Sequence, residues 1–133
     1  HYEYQDDLNS TIGQIRVLEI LSSSQDDHIE CRLEVCDIHE HGIPEALSYV
    51  WGRDESKLPI VVDQKPFFVG KNLYKILKGL RRRDATRKIW VDAICINQSN
   101  SEEKTHQVRI MREIYSKAKN TTIWLSGSDV AYE

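Results

Sequence analysis

Asp92, Asn97, Gln98, Glu102, Glu103 and Gln107 all fall in one stretch of this sequence, IWVDAICINQSNSEEKTHQVRIM, from Ile89 to Met111. Side-chain amides gathered in this way can hold a polar ligand, and a carboxylate with an altered pKa can supply acid–base or electrostatic chemistry. Each residue also has a structural reading. Asn100 with Glu103, or Ser99 with Glu102, fits a capping box that satisfies free amides at a helix start. A glutamate that only caps faces solvent; one poised for chemistry faces the strand edge near Asp92. Glu103, Gln107 and Met111 share a helix stripe by their i, i+4 spacing. Asp92 interrupts an apolar run, so it sits at a strand end or is paired. The Asn97-Gln98 pair also suits a turn closed by side-chain to backbone bonds.

Other candidate groups are weaker. Ser48, inside the apolar run of PEALSYVWG (Pro44 to Gly52), lacks the Gly-x-Ser-x-Gly frame of a hydrolase nucleophile. His28, Cys31, Cys36, His39 and His41 cluster in sequence, but Cys31 and Cys36 differ by five positions and point to opposite faces of a strand. No Cys-x-x-Cys knuckle accompanies them, so no metal site is expected. Neither a Gly-x-Gly-x-x-Gly nor a Gly-x-x-x-x-Gly-Lys phosphate loop is present.

The elements that must position these residues follow from periodicity. Gln14–Leu21 and residues 29–35 alternate as two strands of an antiparallel hairpin, and Leu58–Val62 with Pro66–Val69 forms a second. Leu73, Ile76, Leu77 and Leu80 recur at i, i+3, i+4, i+7, the stripe of an amphipathic helix. Buried strands are expected at Ala46–Trp51, Ile89–Ile94 and Thr121–Leu125, with a helix over 101–118 before the last. Strands joined by helices imply right-handed crossovers and a parallel sheet. The expected fold is α/β, a central parallel sheet with flanking helices and added antiparallel hairpins. Its strand ends bring Tyr49, Trp51 and Gly52 to the same edge as Asp92, Asn97 and Gln98, where open α/β sheets collect ligands.

Bulk properties narrow the classes. A length of 133 residues reads as one domain with a core of its own. No apolar run approaches a membrane span, and three cysteines, which cannot all pair, favour a reducing, cytoplasmic setting. The opening residue is His1 rather than Met, which points to a longer protein. Of 18 basic and 21 acidic residues, eight basic and one acidic fall between Lys71 and Lys88, leaving the rest strongly acidic. That basic run reads as a solvated helix face, with Arg81, Arg82 and Arg83 at its carboxyl end. Nucleic-acid binding is not expected, since no aromatic residues interleave the basic ones.

The blocks Ala46-Leu-Ser-Tyr-Val-Trp-Gly52 and Ile89-Trp-Val-Asp-Ala-Ile-Cys-Ile-Asn-Gln98 resemble the signature of the fungal heterokaryon-incompatibility (HET) domain. So do the continuation through Glu103, Lys104, Gln107, Val108, Met111, Ile114, Tyr115 and Ala118 to Trp124-Leu125, the opening from Tyr4 to Leu8 with Ile15-Arg16-Val17-Leu18, and Asn72-Leu73 with Leu80-Arg81. Ser126 and Asn100 depart from the glycine and aspartate common at those places. The resemblance implies an intracellular, death-promoting module of non-self recognition, usually within a larger protein. It also implies a three-layer, flavodoxin-like fold akin to Toll/interleukin-receptor (TIR) domains, which act by self-association. Some TIR domains cleave the nicotinamide–ribose bond of NAD, using a glutamate on a helix. Two positions compete for that role: Glu103 in the specific block, and Glu133, nearer the TIR-like place. Such chemistry takes NAD as substrate rather than cofactor. It needs a carboxylate to stabilise oxocarbenium character and an aromatic wall, for which Tyr49 and Trp51 are candidates. Ser48, Gly52, Asp92, Asn97, Gln98 and Gln107 complete the expected substrate-binding rim. The alternative is a non-catalytic adaptor that signals by homotypic assembly.

Overall fold

The computed structural model describes residues 2–4, 8, 13–22, 29–39, 43–49, 56–124 and 131–132. Strands β1 (Gln14–Ile20) and β2 (Glu30–Asp37) form the expected antiparallel hairpin, in register from Gln14 opposite Asp37 to Ile20 opposite Cys31. β1 is buried along nearly its whole length, Arg16 included, because it lies between two neighbours and is covered on both faces. Strands β4 (Lys57–Val62) and β5 (Lys65–Gly70) form the second hairpin. Its two turn residues, Asp63 and Gln64, both adopt positive φ (50° and 68°), the geometry whose twist matches paired strands. β2 and β4 pair in parallel, and β6 (Arg87–Ile89) closes the far edge against β1. The result is a five-stranded sheet in the order β5-β4-β2-β1-β6.

A second sheet, in the order β3-β7-β8, contains β3 (Ile43–Tyr49), β7 (Ala118–Trp124) and β8 (Ala131–Tyr132). β3 and β7 run parallel, with Tyr49 opposite Trp124. One residue joins the two sheets. Trp90, just past β6, donates its amide to Glu45 O (2.8 Å) and accepts from Leu47 N (2.8 Å) in a parallel bridge. The three segments expected to share a direction therefore do so, as β6-β3-β7. The balance differs from expectation, however. The molecule is mixed α/β, and its larger sheet is mostly antiparallel, so the hairpins build that sheet rather than decorate a parallel one. Periodicity says which face of a strand is buried but not which strand lies beside it.

Helix α1 (Lys71–Leu80) buries Leu73, Ile76, Leu77 and Leu80 and turns Lys71, Lys75 and Lys78 outward, as the spacing predicts. Each buried aliphatic contributes about 1.5–3 kcal/mol, well above any propensity term, so the stripe decides the helix. The basic run is otherwise divided: Arg82 and Arg83 are exposed, whereas Arg87 is drawn inward. The expected strand over Ile89–Ile94 is shorter than that. It ends at Ile89, and Asp92–Cys95 forms a helical turn, α2, with Cys95 N donating to Val91 O (2.8 Å). A short apolar run is compatible with either conformation when it is wholly buried, as Val91, Ile94, Cys95 and Ile96 are. Asp92 thus sits beyond the strand, in the first turn of α2. Helix α3 (Ser101–Lys117) then leads into β7.

A buried ion pair reinforces the joint at Trp90. Arg87 donates two hydrogen bonds to Glu45 (2.8 and 2.9 Å) and a third to Leu80 O (3.1 Å), while the Thr122 hydroxyl donates to Glu45 (2.7 Å). Burial alone would raise the Glu45 pKa, but the hydrogen bonds from Arg87 and Thr122, with the Arg87 charge, bring it below the ordinary 4.5. A depressed folded-state pKa stabilises the protein above pH 4.5, and that contribution is lost as pH falls through the folded value. Glu45→Gln is expected to cost about 2–3 kcal/mol at neutral pH and to flatten the loss of stability on acidification. Denaturant titrations between pH 7 and pH 3 check both; an unchanged acid limb in the variant contradicts the assignment.

Candidate functional site

The loop between α2 and α3 is built by its own polar side chains. Asn97 accepts from Ser99 N (3.2 Å), and Gln98 Nε2 donates to Asp92 O (2.9 Å). Asn100 caps α3 by accepting from Glu103 N (3.1 Å). Only half of a capping box forms. The Asn100 amide goes to Asn97 O (3.1 Å), and the Glu103 carboxylate turns inward, its side chain only 4% exposed.

There Glu103 meets Arg16 of β1 in a two-point pair, Nη1 to Oε2 at 2.7 Å and Nη2 to Oε1 at 3.0 Å. The Asn97 amide donates to the same carboxylate. Arg16 also donates to Cys95 O (3.2 Å), and its guanidinium lies 4.5 Å over the Tyr4 ring. The Tyr4 hydroxyl donates to Ile94 O (2.6 Å) and approaches Ile96 O at 3.3 Å. Tyr2 donates to Asp63 (3.0 Å) at the β4–β5 turn. Burial raises the pKa of both tyrosines, so they remain neutral donors across the physiological range. Their rings meet edge-on at 5.1 Å, and Phe67 packs edge-on to Tyr4 (6.2 Å) and tilted against Tyr2 (5.3 Å).

These groups frame a cavity of about 650 Å³. Tyr2, Tyr4, Tyr49, Phe67 and Phe68 supply its aromatic surface, and Glu3, Lys57, Asn97, Gln98 and Ser99 its polar lining. The volume lies within the roughly 300–1,000 Å³ of small-molecule sites. Of the residues singled out from sequence, Tyr49, Asn97 and Gln98 line this cavity. Ser48 and Asp92 are half-buried beside it, on β3 and α2. Gln107 is fully buried away from the wall, with Nε2 donating to Gln14 O (3.1 Å) and Oε1 without a partner among the described residues. Trp51, Gly52 and Glu133 lie outside the described residues, as do His28 and His41.

Sequence reasoning missed Arg16, Tyr2, Tyr4, Phe67 and Phe68. Arg16 left a trace, as a charge in a strand with apolar residues on both faces. Tyr4 falls in the opening that resembles the family's usual start, but irregular backbone has no period to give it or Tyr2 a place in the site. Among the thiols, Cys95 is fully buried and its pKa is pushed up to about 12 by desolvation, which makes it a packing residue and no nucleophile at neutral pH. Among the described residues no three His, Cys, Asp or Glu side chains are grouped to hold a metal ion, and no helix is long and apolar enough to cross a membrane.

Comparison with known proteins adds a lineage to this geometry. The family model described as heterokaryon incompatibility protein (HET) matches residues 45–133, more than half of the chain. The Neurospora crassa protein named heterokaryon incompatibility protein 6, OR allele, is 34% identical over 132 residues, covering 89% of this chain and 19% of that protein. The chain thus spans less than a fifth of that relative's length. No solved structure matches it. The matched region holds Glu103 and all of the cavity's lining except Tyr2, Glu3 and Tyr4, and this chain belongs to the heterokaryon-incompatibility (HET) family.

Proposed function

We propose that this chain is the death-promoting module of a fungal incompatibility protein, cytoplasmic and part of a longer polypeptide. The name of the Neurospora crassa relative supports the biological role. The observation that carries the molecular reading is the aromatic-walled cavity of about 650 Å³ where Tyr49 meets Asn97, Gln98 and Ser99. In this reading the cavity takes NAD as substrate. Self-association, on the TIR-like scheme the resemblance implies, brings on cleavage of the nicotinamide–ribose bond.

The chemistry requires a carboxylate whose charge is available to the ribose as nicotinamide departs. Both oxygens of Glu103 are engaged by Arg16, and one also by the Asn97 amide. A carboxylate neutralised in this way adds little negative potential at the cavity, so the reading gives the reacting role to Glu133 and makes Glu103 a positioning residue for the Asn97–Ser99 loop. The same engagement favours a second reading, the non-catalytic adaptor that signals by homotypic assembly, in which the acidic residue of the family block serves architecture alone.

Nicotinamide release from NAD by the purified protein at high concentration separates the two. Enzymatic action predicts release that is lost in Glu133→Gln without a change in thermal midpoint. The adaptor predicts no release while the full-length protein stays toxic. Glu103→Gln leaves Arg16 buried without its partner and is expected to cost about 3 kcal/mol of stability. Its remaining folded fraction should keep whatever turnover the wild type has. A Glu103→Gln protein as stable as wild type but without turnover would move the chemistry to Glu103.

A further inference from the structure

The larger sheet has one open edge, and its backbone groups are not used by any described residue. β6, at one side, leads into the joint at Trp90, which leaves β5 at the other. Val61 N of β4 donates to Ile29 O, so the Val61 backbone turns toward β2, and its pair with Pro66 on β5 is one without hydrogen bonds. By alternation the backbones of Pro66, Phe68 and Gly70 face outward. The sequence suits that placement, since proline is tolerated in a strand where its nitrogen faces the open side. Gly70 is the N-cap of α1, so its carbonyl already accepts the first intrahelical bond. The edge therefore offers the Pro66 carbonyl, both groups of Phe68 and the Gly70 N–H. The Phe68 side chain, 54% exposed, projects to the face opposite Phe67 and the tyrosine wall, beside the exposed Pro59 and Pro66.

An antiparallel copy of the same edge complements it. With Phe68 opposite the partner's Phe68 on a twofold axis, each gives its N–H to the other's carbonyl. Pro66 then falls opposite the partner's Gly70, whose N–H reaches the Pro66 carbonyl. The N–H that Pro66 lacks would have met a carbonyl already bonded within a helix, so every outward group on both edges is satisfied. The same register sets the two exposed Phe68 rings side by side on one face, an aromatic cross-strand pair that removes both from water. Lys65 and Lys71 bound the paired stretch, and Lys57 lies opposite Gly70; all three are exposed cations. They confine the pairing to residues 66–70 and oppose it at low salt.

We propose that this chain pairs with a second copy of itself through β5, antiparallel and centred on Phe68, giving one sheet continuous across two molecules. The proposal rests on the self-association in both readings above and names its surface. So short a contact is small against the roughly 1,200–2,000 Å² of stable interfaces, and dimers should form only at high concentration. Sedimentation velocity of the purified protein over a roughly hundredfold range of concentration tests it. The wild type is expected to pass from monomer to dimer, more readily as salt is raised. Phe68→Pro removes the central N–H, which has no partner in the hairpin, and should weaken the dimer roughly tenfold while the thermal midpoint of the monomer holds. Gly70→Pro suits the φ of −64° at its position and should weaken the dimer likewise. If either variant unfolds, cross-linking in a Cys36→Ser background decides. Phe68→Cys should oxidise to a covalent dimer, since facing Cα atoms of a hydrogen-bonded pair lie about 5.5 Å apart, and Lys65→Cys should not. A monomer at every concentration and salt overturns the proposal together with self-association. Dimers that survive both proline variants, or that cross-link at Lys65 and not at Phe68, overturn the proposal alone and leave both readings standing.

Discussion

The structure depends on a charge pair in its interior. Arg16 and Glu103 are 87 residues apart in sequence, and their side chains are only 3% and 4% exposed. Withdrawing two ions from water costs several kcal/mol each, and their attraction repays it only with good geometry and full hydrogen bonding. Both conditions hold here. The guanidinium meets the carboxylate with two parallel bonds, then also serves Cys95 O and the Tyr4 ring. The carboxylate also takes the Asn97 amide. Five segments therefore converge on one pair: Tyr4, β1, the end of α2, the loop and α3. What such a pair provides is less net stability than a single permitted arrangement, because any other leaves a buried charge uncompensated.

Glu45 and Arg87 solve the related problem of holding two sheets together. The backbone joins them through Trp90, too few hydrogen bonds to fix a joint. Glu45 on β3 accepts from Arg87 on β6 and from Thr122 on β7, so one carboxylate spans the three strands that run in a common direction. Trp90, wholly buried and edge-on to Tyr115 at 5.7 Å, ties α3 to the same joint. The strand end at Tyr49 and the loop at Asn97 can frame one cavity because these contacts hold β3 beside the segment that leads into α2.

What the sequence disclosed follows the range of each interaction. The hairpins, α1 and α3 rest on spacing within a few residues, and Leu73 through Leu80 or Ile29 through Val35 display it directly. Asn100 as the cap of α3 was equally local. Sheet order was not, since β1 pairs with β6 and β2 with β4 across long separations in the chain. The helical turn at Asp92 is hidden because Val91, Ile94, Cys95 and Ile96 around it are all buried, which erases the contrast that periodicity needs. For Glu103 the local sequence offers two outcomes, a cap facing solvent or a carboxylate facing the strand edge. A third was found, because the partner that decides the matter lies on a distant strand.

That distant partner also bears on where the site begins. The family match opens at Glu45, whereas Arg16, Tyr2 and Tyr4 all precede it. So do β1 and β2, the strands between β4 and β6 in the larger sheet. A polypeptide starting at Glu45 would leave β4 and β6 without the strands that separate them, and Glu103 buried beside no cation. It would also remove two of the cavity's aromatic walls. The unit that makes the cavity is therefore larger than the segment, residues 45–133, that the family model matches. The glutamate in that segment takes its conformation from an arginine outside it.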